Sequence, residues 1–310
     1  MAKKNNTSQK QPERKPLNIN LTKQLIVLRE NLRKMYEDKQ VYFHEKQNKT
    51  EITQYYQTII NQSCRGTELF YKYNHLIEKT HKNQNPYFIS KDLYLYTWVD
   101  LYPDGTVKCI YSGETKDPRS LILQEYELIG HKAALGKEFE KAEQKDYELL
   151  KQLKTYERKL KLNTEHIVPQ SWFGALEPMK GDLHHLFVCN PECNIVRSNF
   201  TYDELCSLFP ESNPHHSCGS ALNERFEPRF GKGAIARAML YFFLRYPRAI
   251  KKAYRNNISI PLLINWHLQN QVTLYEKHRN QAIYRIQGNR NPFIDFPDLL
   301  NYIEFPIYFF

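Results

Sequence analysis

The sequence predicts an α+β fold in which helices surround a short region rich in β-structure and loops. Three observations support this prediction. Apolar residues recur at helical spacing through the first 90 residues and again after residue 230. Two β-prone runs flank a Pro-Asp-Gly turn near residue 104. Between residues 162 and 230, His, Cys, Asn, Pro and Gly are dense, which is typical of a site built from loops.

The N-terminal third is predicted to be helical behind a polar tail. Residues 1–16 are polar and basic, which predicts a disordered tail. Residues 17–90 then form a predicted helical region, used for packing or for interaction with a partner or a second copy. Its apolar stripes are Leu21, Leu25, Leu28, Leu32 and Met35, then Ile52, Tyr55, Tyr56, Ile59 and Ile60, then a third stripe from Leu69 to Ile77.

The middle and the C-terminal part contain the remaining predicted elements. Residues 93–112 are predicted to form a β-hairpin around Pro103-Asp104-Gly105. Residues 137–161 lack Gly and Pro and predict a long, charged helix. Residues 233–246 predict an apolar core helix that is too short to cross a membrane, and a further helix is predicted over roughly 261–286.

Charge and cysteine usage limit the classes of function. The 310 residues have a net charge of +10 and a pI near 9.1, which favours a polyanionic partner, nucleic acid before an anionic membrane. No run approaches the roughly 18 apolar residues of a membrane span. The first residues have charge but no apolar stretch behind it, so no secretory signal is predicted and a cytoplasmic location is expected. The six cysteines are then expected to be reduced thiols or metal ligands.

The stretch "NTEHIVPQ" (163–170) places the carboxylate Glu165 beside the imidazole His166. Arg197 and Asn223 follow within the same dense region. Mg²⁺ needs only one or two protein oxygens, for which Glu165 and Asn223 suffice. A neutral imidazole can take a proton from water, and an arginine can hold phosphate oxygens. These residue types predict metal-assisted phosphodiester hydrolysis, provided that the chain bends or the pair flanks the scissile group, because neighbouring strand side chains point to opposite faces.

Several separated runs resemble one known family. "LNTEHIVPQSWF" and "MKGDLHHLFVCNPECNIVRSNFTY" are followed in order by "FEP", "GKGAIARAMLYF" and "RNQAIYRIQGNRNPFID". They are similar to the endonuclease I family of ββα-metal (His-Me finger) nucleases, which also contains secreted bacterial ribonucleases. The likeness covers roughly residues 93–297. It implies a catalytic domain over 91–310 with a His-Me finger core, a helical insertion at about 130–161 and a mostly helical N-terminal extension.

The resemblance also implies roles for individual residues. His166 falls on the general base and Glu165 on a metal ligand. Asn223, four residues before Glu227, falls on the second metal ligand. In some members of the family, the arginine that clamps the phosphate comes from a stretch that this chain lacks. Arg197 is therefore the candidate here, with a structural salt bridge as the alternative. The pair His184 and His185 is expected to support the site, and Asp182 to orient a neighbouring group.

For two further sets of residues, the sequence leaves two alternative roles open. Four cysteines in the dense region could hold structural Zn²⁺, or they could be reduced thiols; they are Cys189, Cys193, Cys206 and Cys218. Five basic residues could contact the nucleic-acid backbone, or they could be surface or packing residues; they are Lys232, Arg245, Arg248, Lys252 and Arg290.

Together these features predict a Mg²⁺-dependent endonuclease that acts on DNA or RNA. Little sequence specificity is expected, because no helix-turn-helix or similar module is present. Two alternatives belong to other classes. The first is a non-catalytic nucleic-acid-binding protein on a decayed nuclease fold. The second is an effector regulated by an inhibitory partner or by self-association through residues 17–90.

Overall fold

The computed structural model describes residues 21–60, 63–141, 147–148, 151–152, 154–155, 163–205 and 217–306, and the predicted tail 1–16 lies outside them. The helices are α1 Leu21–Glu37, α2 Lys39–Tyr42, α3 Glu45–Tyr55, α4 Gly66–Thr80, α5 Tyr87–Ile89, α6 Pro118–Lys141, α7 Gln170–Phe173, α8 Pro191–Arg197, α9 Lys232–Arg245, α10 Lys252–Arg255, α11 Ile260–Gln269, α12 Leu274–Gln287 and α13 Pro292–Asp295. The strands are β1 Val107–Lys108, β2 Thr115–Lys116, β3 Thr164–His166, β4 Leu186–Val188, β5 Thr201–Tyr202, β6 Gly219–Leu222 and β7 Arg225–Pro228. The 3₁₀ turns are Met179–Gly181, Leu183–His185 and Pro297–Asn301.

The helices predicted from apolar periodicity are present. α1 and α4 coincide with the first and third N-terminal stripes, and α9 coincides with the predicted core helix. α3 contains Ile52 and Tyr55 of the second stripe and ends there, so the helix stops before Ile59 and Ile60. The predicted helix over 261–286 is two helices, α11 and α12. The break follows from sequence chemistry, because Thr273 and Glu276 form a reciprocal capping box that starts α12. Gly288, at φ 94°, ends it in the left-handed conformation.

The prediction of a hairpin over residues 93–112 is wrong for its first strand. Ser90–Val99 continues α5 as a π-helix instead of forming a strand. Leu95, Tyr96 and Val99 are buried there, so packing overrides the β-propensity of the segment. The predicted turn does form, since the Tyr102 amide donates to the Thr106 carbonyl across it. The strand that follows, β1, pairs with β2 in an antiparallel hairpin that lies later in the chain.

The predicted helical insertion begins earlier than expected. α6 starts at Pro118, after the side chain of Asp117 has accepted the amides of Arg119 and Ser120. The described residues between 142 and 162, which are 147–148, 151–152 and 154–155, are also helical. The rest of the predicted helix over 137–161 lies outside the described residues.

The described strands form three small sheets. β3 and β4 are antiparallel, with Glu165 opposite Phe187 and His166 opposite Leu186. β7 is the central strand of the third sheet, antiparallel to β6 and parallel to β5. The α+β prediction is therefore confirmed, with small sheets held among helices.

Two hydrophobic cores join the N-terminal helices to the rest of the chain. One contains Tyr56 and Phe70 together with Phe242 of α9. The other contains Leu28 of α1 together with Leu186 of β4. Residues before and after the predicted boundary at residue 90 thus pack in the same interior. Among the described residues, no helix combines the length and the apolarity that crossing a bilayer requires.

Arg290 was predicted to contact nucleic acid, and the structure contradicts that role. Its guanidinium is fully buried, with Nε and Nη2 donating to the two Asp295 oxygens at 2.7 and 2.8 Å. Nη2 also donates to Asn48 Oδ1 of α3 at 2.7 Å. Because a phosphate cannot reach this group without unfolding the region, Arg290 is a packing residue that ties α3 to the C-terminal helices.

We expect Arg290→Ala to lower the free energy of unfolding by about 3–5 kcal/mol, because it leaves Asp295 buried without its cationic partner. The exposed Arg248→Ala should change it by less than about 0.5 kcal/mol. Urea unfolding followed by circular dichroism measures both. A fully stable Arg290→Ala protein with weakened nucleic-acid binding would restore the original prediction.

Candidate active site around Glu165 and His166

The candidate site is built on β3, β4 and the helix α8 that follows them. Pro191 occupies the first turn of α8, where its fixed φ and missing N–H suit a helix start. The Asn194 amide of α8 donates to the Thr164 carbonyl of β3 at 3.2 Å. This bond holds the helix against the strand that carries Glu165 and His166. The arrangement is an antiparallel strand pair crossed by one helix.

The Glu165 carboxylate lies on one face of β3, where it is 2% exposed. The Tyr111 hydroxyl donates to Glu165 Oε1 at 2.7 Å, and Arg197 Nη1 lies 3.4 Å from the same oxygen. Burial raises the pKa of Glu165 to about 7, although Arg197 and Tyr111 both act to lower it. The carboxyl group is thus fixed in one orientation and is close to its titration midpoint at neutral pH.

Arg197 is held from several sides on the same face. Its Nη2 donates to the Ile167 carbonyl at 2.7 Å, and its guanidinium lies 4.9 Å from the Tyr202 ring centroid. The buried Nε has no hydrogen-bond partner among the described residues. Burial of a guanidinium without a full set of acceptors is costly.

The His166 ring lies on the opposite face of β3, as alternation along a strand requires. His166 Nε2 is 3.0 Å from the Lys180 carbonyl oxygen, and Nδ1 is 3.2 Å from the Gln170 amide nitrogen. A carbonyl can only accept, so Nε2 carries the proton and Nδ1 holds the lone pair. Burial and the neighbouring His185 hold the pKa of His166 well below its usual range. The imidazole is therefore neutral at pH 7.

Asp182, His184 and His185 lie beneath this face. Asp182 accepts from the Tyr241 and Tyr246 hydroxyls at 2.8 and 3.0 Å. His185 Nε2 lies 2.6 Å from the Met179 carbonyl, and its ring centroid is 5.4 Å from that of His166. His184 Nε2 lies 3.3 Å from the Asn289 carbonyl. All three residues are buried and bonded within the protein, as the expected supporting role requires.

The structure places Asn223 in an exposed turn. It lies between β6 and β7, at φ 49°. Within the described part of the chain no hydrogen bond joins it to Glu165 or Arg197. Asn194 occupies the place beside β3 instead. Its spacing of three residues from Arg197 is a helical one that puts both on one side of α8, and that spacing could have identified it from the sequence.

The structure contradicts the predicted zinc set. Cys193 of α8 and Cys218 form a disulfide, so neither sulfur is available as a thiolate ligand. Cys189 lies 3.9 Å from Cys109, sulfur to sulfur, and Cys206 is outside the described residues. In the described ranges, no three His, Cys, Asp or Glu side chains come together as a metal site.

The other residues that were predicted to contact the nucleic-acid backbone differ in their exposure. Arg248 and Lys252 are exposed. Lys232 is partly exposed and is paired with Glu227 at 2.6 Å. Arg245 is buried, with a side chain that is 6% exposed and lies 3.5 Å from Glu78. Burial rules out a direct phosphate contact for Arg245, which corrects that prediction.

Comparison with known proteins gives several nuclease relatives. The chain is 32% identical to an extracellular ribonuclease of Bacillus amyloliquefaciens over 151 residues, which is 44% of this chain and 51% of the relative. It is 29% identical to an extracellular deoxyribonuclease of Aeromonas hydrophila over 174 residues, 48% of this chain and 71% of the relative. A periplasmic deoxyribonuclease of Aeromonas hydrophila is 28% identical over 161 residues, 44% of this chain and 65% of the relative. The chain thus spans about half the length of the Bacillus ribonuclease that it matches.

The expected cytoplasmic location is wrong. The matched relatives are named extracellular or periplasmic nucleases. The disulfide between Cys193 and Cys218 agrees with this correction, because such bonds persist in oxidising compartments. The expectation that every cysteine is reduced fails for the same reason.

The family assignment rests on a longer match than any single relative provides. The family model described as Endonuclease I matches residues 74–298, which include Glu165, His166, α8 and the C-terminal helices α9 to α13. The order of the separated runs in the sequence, the strand pair crossed by α8 and this match agree. The chain belongs to the Endonuclease I family.

Proposed function

We propose that the protein is a Mg²⁺-dependent endonuclease that hydrolyses phosphodiester bonds of DNA or RNA with little sequence specificity. One observation carries this proposal. A buried imidazole, kept neutral and fixed in one tautomer, lies next to a buried carboxylate on a strand that is crossed by a helix. Perturbed pKa values cluster at functional sites, where burial and neighbouring charges act on the same groups. In this proposal β3, β4 and α8 form the His-Me finger core.

His166 serves as the general base. Its Nε2–H is committed to the Lys180 carbonyl, so the proton from an attacking water goes to Nδ1. Lys180 then stabilises the imidazolium that forms, because its carbonyl continues to accept from Nε2. Gln170 donates to Nδ1 in this structure and has to yield that position to the water.

Glu165 and Asn194 are the proposed metal ligands, with Asn194 in place of Asn223. One carboxylate and one amide oxygen suit Mg²⁺, which keeps several waters and takes few protein ligands. Nδ2 of Asn194 donates to the Thr164 carbonyl, and its Oδ1 is the atom that we propose as the ligand. When bound, Mg²⁺ would polarise the phosphoryl oxygen and stabilise the leaving alkoxide.

The opposite orientation of the two side chains constrains where the substrate lies. Glu165 and His166 project from opposite faces of β3, which is only three residues long. We therefore place the scissile phosphate at the end of β3, where it is flanked by both groups. The burial of Arg197 and its ion pair support the structural alternative, in which it positions Glu165.

We also propose that the protein acts outside the cytoplasm. The names of the relatives and the disulfide support this. A nuclease of low specificity is toxic inside its own cell, so an external location weakens the reason for the alternative in which a partner regulates the protein through residues 17–90.

Replacing the base should abolish most of the activity. We expect His166→Ala to cut plasmid DNA and RNA about 10²–10⁴-fold more slowly than the wild type in Mg²⁺, because general base catalysis contributes that much. His131→Ala, an exposed histidine of α6, is the control and should cut at the wild-type rate. Undiminished cleavage by His166→Ala, or wild-type cleavage that resists a chelator, would show that the proposed mechanism is wrong.

The two asparagines give a direct test of the metal ligands. We expect Asn194→Ala to raise the half-saturating Mg²⁺ concentration by at least about tenfold, since even groups outside the first coordination shell cost that much. Asn223→Gly should leave the half-saturating concentration unchanged, whatever it does to the maximal rate. Glycine is chosen there because it adopts the positive φ of the turn without strain. The reverse pattern would favour the ligand predicted from the sequence.

Exposed basic residues should contribute to the affinity for nucleic acid, and the salt dependence of binding should show their contribution. Arg248→Ala and Lys252→Ala should each reduce the slope of log K against log salt concentration by about 1, if each neutralises one phosphate. Arg29→Ala, which removes an exposed charge on α1, is the matched control and should leave the slope unchanged. Binding of a catalytically inactive His166→Ala protein, measured by fluorescence anisotropy, gives the slopes. Equal slopes in all variants would contradict this surface assignment.

A further inference from the structure

A polar cleft lies beside the candidate active site. It has a volume of about 620 Å³, which is within the usual range for small-ligand pockets. One wall is formed by the segment after α8 and by the β6–β7 turn, with Asn199, Thr201 and Asn223. The other wall is formed by α10 and the residues after it, with Tyr254 and Asn256.

Trp172, in the short helix α7 that follows β3, contacts both walls of the cleft. Its indole N–H donates to the Asn199 carbonyl at 3.1 Å, and its own carbonyl accepts from the Lys251 amide at 2.9 Å. Its ring stacks on Tyr254 at 5.7 Å with an interplanar angle of 17°. Trp172 is only six residues after His166, so the cleft is fixed to the same short segment as the proposed base.

The lining of the cleft has the chemistry of nucleobase recognition. Asparagine amides both donate and accept, as the edges of bases do, and a tyrosine ring offers a stacking surface. The described residues give Asn199, Asn223 and Asn256 no side-chain hydrogen bond within the protein. Exposed Lys251 and Lys252 precede Tyr254 on the same chain segment. Amides within the cleft and cations on an adjoining segment suit a nucleotide whose phosphates remain outside the cleft.

We propose that this cleft binds one unpaired nucleobase of the substrate strand, stacked on Tyr254 and hydrogen-bonded to the asparagine amides. The proposal rests on the proposed nuclease function, since it identifies a substrate subsite of that activity. A base within a duplex is stacked and paired and cannot enter such a cleft without being extruded. Single-stranded segments should therefore bind more tightly than a duplex of equal charge.

The test compares oligonucleotides that differ only in their bases. A labelled single strand and an abasic strand of the same length and charge are titrated into the full chain carrying His166→Ala, in a chelator, so that no cleavage occurs. Fluorescence anisotropy gives both affinities. We expect the base-containing strand to bind about 5- to 100-fold more tightly, which is the range for stacking of one base on an aromatic ring.

Substitutions in the cleft should remove that difference. Tyr254→Ala and, separately, Asn256→Ala should bring the two affinities together, whereas Tyr71→Ala, an exposed tyrosine of α4, should preserve the difference. Asn256 is exposed, so its variant tests the cleft even if Tyr254→Ala disturbs packing against Trp172. Equal affinity for the two strands, or a difference that survives both substitutions, would overturn the inference. This binding test does not measure cleavage, so the two proposals can fail separately. If the wild type does not cut nucleic acid but the His166→Ala chain still binds in a base-dependent way, the proposed function is wrong and the subsite is retained.

Discussion

The fully buried carboxylate of Asp182 is the constraint on which the candidate site depends. It accepts from Tyr241 of α9 and from Tyr246 directly after that helix. It also accepts from the Gln287 amide at the end of α12 and from the His184 backbone amide. Burial alone would raise the pKa of Asp182, but its histidine neighbours and the Gln287 hydrogen bond hold it below its usual range. One ionised group thus fixes the two consecutive 3₁₀ turns to two helices. The first of these turns supplies the Lys180 carbonyl that sets the tautomer of His166.

A second set of buried polar contacts joins the N-terminal helices to the same body. His278 of α12 lies between the Tyr42 and Trp98 carbonyls, at 2.7 and 2.9 Å, and stacks on the Tyr42 ring. Arg279 forms an ion pair with Asp100, which in turn accepts from the Val188 amide of β4. These bonds connect the first helices, the π-helix and the strand opposite His166. The N-terminal region therefore acts as part of the scaffold that positions the site.

Periodicity in the sequence was sufficient for the helices, because a packed helix must show an apolar stripe. Glu165 and His166 were also identified from the sequence, because neighbouring residues lie on the same strand whichever way the rest of the chain folds. The hairpin at residues 93–112 failed because its aromatic and β-branched residues are buried by tertiary packing around a helix. Asn223 was assigned from its spacing to Glu227 in the family resemblance, and that spacing does not report which segment lies against β3. Arg245 and Arg290 look like surface cations in sequence, and only the positions of Glu78 and Asp295 show that they are internal partners.

The hydrogen bond from Gln170 to His166 Nδ1 affects how easily water can reach that nitrogen. A neutral hydrogen bond of this kind contributes about 1 kcal/mol net, which corresponds to roughly a fivefold factor in an equilibrium. In the proposed mechanism, the amide would therefore slow the approach of water to His166 only slightly. Its larger effect is to restrain the ring from rotating while no substrate is present. Under that mechanism Gln170 occupies the position of the attacking water, and the imidazole is already aligned to accept its proton.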